Sequence, residues 1–186
     1  MFQPEVKRAF VERYCPPAAG WRVFVDVDPS ELGLTGGPRL NDAAVARQRA
    51  MQERGAAAKA GLEAAGVTVG GSRRAWFDEC GDGTPTIPGD RDVIAIHGAS
   101  RRILIAEVEG ASSGQPEAKL YKAIGQLVTA VDSCDWRGYV PTYVLAVHGR
   151  PMIAHLRRAA VLRRLGISAV HIAELRDNDE WIFRVD

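Results

Sequence analysis

Four carboxylates bracket two apolar runs in the middle of the chain: Asp90 and Asp92 ahead of VIAI, and Glu107 and Glu109 at the end of RILIAEVE. Both runs are β-rich, and HGASR (97–101) joins them in the pattern of an antiparallel hairpin. With the turn centred between Ala99 and Ser100, Asp92 and Glu107 are equally far from it and face each other, and Asp90 lies near Glu109. Side chains alternate along a strand, so Asp90 shares a face with Asp92, and Glu107 with Glu109. Carboxylates held this close raise one another's pKa, and apolar strands offer little water to screen them. A hard divalent cation resolves the conflict, because carboxylate oxygens suit Mg²⁺ or Mn²⁺. An isolated Glu-x-Glu in a strand is ordinarily a solvated edge. Here it runs straight into a Gly/Ser-rich turn and a lysine-bearing helix, which favours a metal site.

That helix, EAKLYKAIGQLVTAVDS (117–133), carries two of the chain's four lysines, Lys119 and Lys122, whereas the other 20 of its 24 cations are arginines. At ~100° per residue, Gln126 falls within ~20° of Lys119, and Lys122 within ~60° of it. All three flank the stripe Leu120, Ile124, Leu127 and Val131, which is expected to face the core. Lysine is a compact cation that can lose its proton or orient a water beside a metal, which arginine does badly.

The elements that must position these groups alternate along the chain. Residues 4–14 read as an amphipathic helix closed by Pro16-Pro17, and 21–29 as a strand. A Gly-rich loop leads to an Ala-rich helix over 42–65, ended by Gly66, and to a short strand at 67–69. Residues 78–91 are polar and rich in Gly and Pro, the composition of a loop. After the hairpin and its helix come a buried strand (142–147), a basic helix (151–165) and two strands (169–175 and 181–185). The pattern predicts one α/β domain over 1–186: a mixed central sheet flanked by helices.

At these residues the chain resembles the PD-(D/E)xK nuclease superfamily, whose pattern is an Asp before an apolar strand, then (D/E)xK on the next strand, then a helix that often bears Gln or Lys. Asp92 in GDRDVIAI takes the Asp place, Glu107-Val108-Glu109 takes the (D/E)xK place, and KAIGQL (122–127) is similar to the family helix. The likeness covers about 42–147, leaving 1–41 as an N-terminal extension, and Glu53 takes the place of the family's helical acidic residue. It implies a restriction-endonuclease-like fold and metal-dependent hydrolysis of a phosphodiester. Asp92 and Glu107, with Asp90 and Glu53 as further candidates, would hold the metal. There are two departures: Arg91 stands where Pro precedes the Asp, and Glu109 replaces the motif lysine. Some restriction enzymes of the family carry ExE and remain active, and in other members the lysine role has moved to the helix. Glu109 would then be a ligand or base, Lys119 or Lys122 would stabilise developing charge, and Gln126 would complete the catalytic set.

The whole composition constrains the partners. The chain has 186 residues with 24 Lys plus Arg against 23 Asp plus Glu, a net charge of +1, which excludes a histone-like polycation but not a local basic groove. Four arginine pairs (73–74, 101–102, 157–158 and 163–164) are candidate phosphate contacts. Three scattered cysteines, no CxxC and no secretory apolar stretch point to a reduced, cytoplasmic setting. No run approaches the ~18 apolar residues of a membrane span. The bias to Ala, Gly and Arg suggests a bacterial or phage genome. Nucleic acid, DNA foremost, is the expected partner, and a homodimer would suit cutting both strands.

Two other readings discriminate themselves by assay. GASSG (110–114) matches the GxSxG elbow of serine hydrolases, with Ser112 as nucleophile, Asp132 or Asp135 as acid and His148, His155 or His171 as base. The chain is short for that fold and shows no HGGG-type loop, and the reading leaves Glu107 and Glu109 unexplained. Alternatively, the absent motif lysine marks a nuclease-fold module that binds nucleic acid or a partner without cutting.

Overall fold

The computed structural model describes residues 1–27, 42–81, 83–110, 116–131 and 135–185. Helix α1 (Gln3–Tyr14) leads to β1 (Arg22–Val25), then α2 (Asp42–Ala64), β2 (Thr68–Val69) and α3 (Arg73–Cys80). The hairpin follows as β3 (Val93–His97) and β4 (Arg102–Glu109), and then come α4 (Pro116–Val131) and β5 (Val140–Val147). Two short helices, α5 (Arg150–Arg158) and α6 (Val161–Arg164), precede β6 (Ile167–His171) and β7 (Glu180–Phe183). No described helix is long and apolar enough to cross a membrane.

The strands form one mixed sheet of seven in the order β2-β1-β3-β4-β5-β6-β7, an α/β fold as the alternation predicts. β1, β3 and β4 run antiparallel in turn, whereas β4, β5 and β6 are parallel. The first β-rich run therefore pairs into the middle of the sheet, and residues ahead of 42 are part of its fabric. The hairpin register is the one its turn dictates: Val93 lies opposite Ala106 and His97 opposite Arg102. The turn closes with Arg101 N donating to Gly98 O (3.2 Å) and Arg101 at a positive φ of 50°.

Strand alternation divides the core in two. Ile94, Ile96, Ile103, Ile105, Leu145 and Val147 point to one face, where α3, α4, α5 and α6 bury Trp76, Leu127, Leu156 and Leu162. Val93, Ala95, Ala106, Val108 and Val144 point to the other, covered by Val6, Phe10 and Val11 of α1 and Leu62 of α2. The stripe of α4 sits slightly rotated from its expected line: Leu120, Ala123, Leu127 and Ala130 are buried, and Ile124 and Val131 are half-buried. The basic helix predicted over 151–165 is broken into α5 and α6. Leu156 and Leu162 would sit about 120° apart on one continuous helix; the break lets both bury against the sheet. Helix α3 occupies residues partly read as loop, with Ser72 Oγ accepting from Ala75 N (3.2 Å) as its N-cap.

Gly110, just past β4, fixes how α1 meets the sheet. A Cβ there would collide with the Gln3 backbone N and lie 2.7 Å from the Phe2 carbonyl carbon, so only glycine lets the first turn of α1 come this close. The same approach gives Gly110 a packing reason independent of any nucleophile elbow.

Candidate functional site

With Val93 opposite Ala106, the next pair outward is Asp92 and Glu107, at the open end of the hairpin. Asp92 is held from three sides. Its Oδ2 accepts from Val108 N (2.8 Å), its carbonyl accepts from Asp26 N (2.9 Å), and its Oδ1 lies 2.8 Å from Lys7 Nζ. The ammonium also donates to Asp26 O (2.6 Å). Lys7 is completely buried, inserted from α1 between the ends of β1 and β3. Long cationic side chains are almost never fully buried without a partner, and Asp92 is that partner.

Glu107 is 2% exposed, hydrogen-bonded to Asp92, and its Oε1 has no hydrogen-bond partner among the described residues. Burial pushes its carboxyl up to about 9, and the negative charge of Asp92 adds to the shift, against the pull of Arg91 and Lys7. The side chain is thus a protonated carboxylic acid at neutral pH when no cation is bound. Arg91 is buried beside it; its Nη1 donates to Asp90 O (2.7 Å), and its Nε has no partner among the described residues. Burial lowers the guanidinium's pKa, and the Glu107 carboxylate opposes that shift. Glu109, two residues on and buried, takes a bond from His148 N to its carbonyl (2.9 Å), which ties β4 to β5 at this end.

The other expected members lie further out. Asp90 has a side chain 90% exposed and 3.9 Å from Arg73, so it does not join Asp92 and Glu107. Glu53 is exposed on α2. Among the described residues no three Asp, Glu, His or Cys side chains come together as a metal cage. Lys122 is exposed and Lys119 half-buried on α4, and no described ion pair joins either to the carboxylates. Gln126 does reach the loop, with Nε2 donating to Asp90 O at 3.4 Å. Ser112 and Asp132 lie outside the described residues.

Two groups escape the reading of spacing around the hairpin, Lys7 and Arg91. Lys7 carries a signal of its own: with Gln3, Val6, Phe10 and Val11 it falls on one helical stripe, all five buried. A lysine within an apolar stripe needs a buried anion, and the carboxylates of the hairpin are the natural source. Arg91 is visible only as the residue in the place of the motif proline.

Two carboxylates, one with a buried oxygen left without a partner, fit a single hard cation that keeps most of its ligands as water, the usual habit of Mg²⁺. A cleft of about 770 Å³ is lined by Asp26, Asp78 and Asp90, by Arg73 and Arg74 of α3, and by Phe24 and Phe77; neither Asp92 nor Glu107 lines it. Comparison of the chain with family models, with curated proteins and with solved structures gives no match to any of them.

Proposed function

We propose that the protein is a metal-dependent hydrolase of phosphodiester bonds in nucleic acid, with DNA as its substrate and the PD-(D/E)xK nucleases as its nearest analogy. The observation that carries this reading is the buried Glu107, with its unpartnered Oε1, set against Asp92 and Lys7 at the open end of the hairpin. Asp92 and Glu107 would hold Mg²⁺ or Mn²⁺. When bound, the cation would polarise a phosphate oxygen and acidify a water.

The chain's own residues do the rest. Val108 N and Lys7 fix the Asp92 carboxylate in one orientation. Glu107 would hold the cation as a carboxylate, since a ligand must be deprotonated. Lys7, already at the carboxylates, supplies the cation that position 109 lacks, and this role passes to it rather than to Lys119 or Lys122. Arg91 offers its buried Nε to the developing charge. Glu109 lines the same end of β4 as a second carboxylate.

The test is cleavage of supercoiled and linear DNA by the purified chain with Mg²⁺ or Mn²⁺. Cutting is expected with the cation, none with EDTA, and a fall of at least about 100-fold in Glu107→Gln. Retention of DNA in a salt-sensitive shift assay with no cutting under any metal would replace this reading with that of a binding module. Ester hydrolysis indifferent to EDTA and lost in Ser112→Ala would replace it with that of a serine hydrolase.

A further inference from the structure

On the face that α1 and α2 cover, the sheet is left open near the starts of β4, β5 and β6, where a pit of about 310 Å³ remains. Its lining on β4 runs from Arg102 to Leu104, three to five residues back from Glu107 or roughly 10–17 Å at ~3.3 Å per residue, and it shares no lining residue with the carboxylate site. Leu104 and Val144 give it an apolar floor on the sheet, with Thr142 and Ser168 beside them. Two flat rings border it, Tyr14 of α1 and Trp181 of β7, set edge to face with centroids 5.3 Å apart.

Two of the pit's polar groups are cations. Arg102 and Arg184 line it, and no lining residue is acidic. Arg184 stacks over Trp181 with its guanidinium carbon 5.3 Å from the ring, so cation and flat surface are presented together. Ser168 is 2% exposed and accepts from Val185 N (2.9 Å), and its own hydroxyl hydrogen has no acceptor among the described residues. A buried hydroxyl left to donate, two arginines and the apolar side chains Leu104 and Val144 together suit an acceptor-bearing anion attached to a flat apolar body.

We propose that this pit is a binding site for a small molecule of that class, an anionic group joined to a flat, aromatic-sized apolar skeleton. The site is separate from the hairpin carboxylates and does not depend on their chemistry. The volume suits one such molecule and is too small for a folded partner's helix.

The test titrates the full chain with 8-anilinonaphthalene-1-sulfonate, read by its fluorescence and by calorimetry, beside its uncharged twin N-phenyl-1-naphthylamine. One saturable site per chain is expected, weakened at least about tenfold by the double reversal Arg102→Glu with Arg184→Glu. Both side chains are exposed, so the melting temperature should hold. Ser168→Ala should weaken the sulfonate several-fold and the uncharged twin not at all. Absence of saturable binding would overturn the proposal. So would equal affinity for the twin, indifference to the arginine reversals, or dye exclusion that grows with protein concentration, which would assign the pit to a second copy of the chain.

Discussion

Removing the ammonium of Lys7 would leave Asp92 anchored by Val108 N but with its buried counter-charge gone. Breaking a buried pair from one side typically costs about 3–5 kcal/mol, and because the Asp92 side chain keeps 17% exposure the low end applies. Lys7→Met should therefore lower stability by about 3 kcal/mol in denaturant melts. Adding Asp92→Asn should restore part of that loss, and fully additive losses would show the two groups are not coupled. Glu107 makes the complementary prediction in pH. Its folded-state pKa, about 9, lies above the ordinary value of 4.5, so between those limits the folded chain holds a proton that the unfolded chain has released. The unfolded state binds fewer protons there, and stability falls as pH rises, fully present below 4.5 and lost through 9. Glu107→Gln keeps the shape and does not titrate. In EDTA its Tm should match the parent at pH 5 and exceed it by a growing margin toward pH 9. Parallel Tm profiles for the two proteins would show that burial does not hold this proton.

At the scale of elements, two glycines with opposite environments give opposite signs. Gly110 faces the backbone of Gln3 with no room for a methyl group, so Gly110→Ala must push α1 off the end of β4 and loosen the Lys7–Asp92 contact. Such overpacking costs about 1–3 kcal/mol. Gly125 lies exposed within α4 with open space around it, and Gly125→Ala should raise stability by about 0.5–1 kcal/mol through helix propensity alone. Chemical denaturation of both variants checks the pair; a stabilising Gly110→Ala would refute the close approach. The contrast also explains what was legible beforehand. The facing of Asp92 and Glu107 follows from a turn of four residues, because a short loop sets strand register locally. The extent of β4 and the start of α4 follow from the sequence pattern in the same way, whereas the predicted end of α4 at 133 lies outside the described residues. Lys7 is only half legible: its place on an apolar stripe calls for a buried anion, but nothing local tells where the N-terminal helix will dock, and its site is made by Gly110, which reads from sequence as a loop residue or the start of a nucleophile elbow. Lys119 and Lys122 attract attention because they are near in sequence, yet the stripe Leu120, Ala123 and Leu127 turns α4 so that Lys122 faces solvent.

Across the whole molecule, α1 joins what the chain order separates. It covers one face of the sheet with Val6, Phe10 and Val11, brings Lys7 to the carboxylates at one end, and sends Arg13 and Tyr14 to Asp179 near β7 at the other. Its first turn is tied to α2 through Glu5 and Arg54 (2.8 Å). A helix that only preceded a self-sufficient core would be dispensable for folding. One that buries three large apolar side chains on the sheet and neutralises a buried carboxylate is not: at roughly 1.5–3 kcal/mol per buried side chain, its apolar contacts alone rival the ~5–15 kcal/mol by which a domain of this size is stable. A chain lacking residues 1–20 should therefore lose its cooperative thermal transition and near-ultraviolet dichroism. Helix formation in α4, whose partners lie on the opposite face, would survive at most as loose structure. The milder Phe10→Ala, which empties a fully buried ring position, should cost about 3–5 kcal/mol while keeping a sharp transition. A truncated chain that still melts cooperatively would mean that the sheet from β1 to β7 is held by α2 to α6 alone, and that Lys7 is an addition to a finished fold rather than part of its closure.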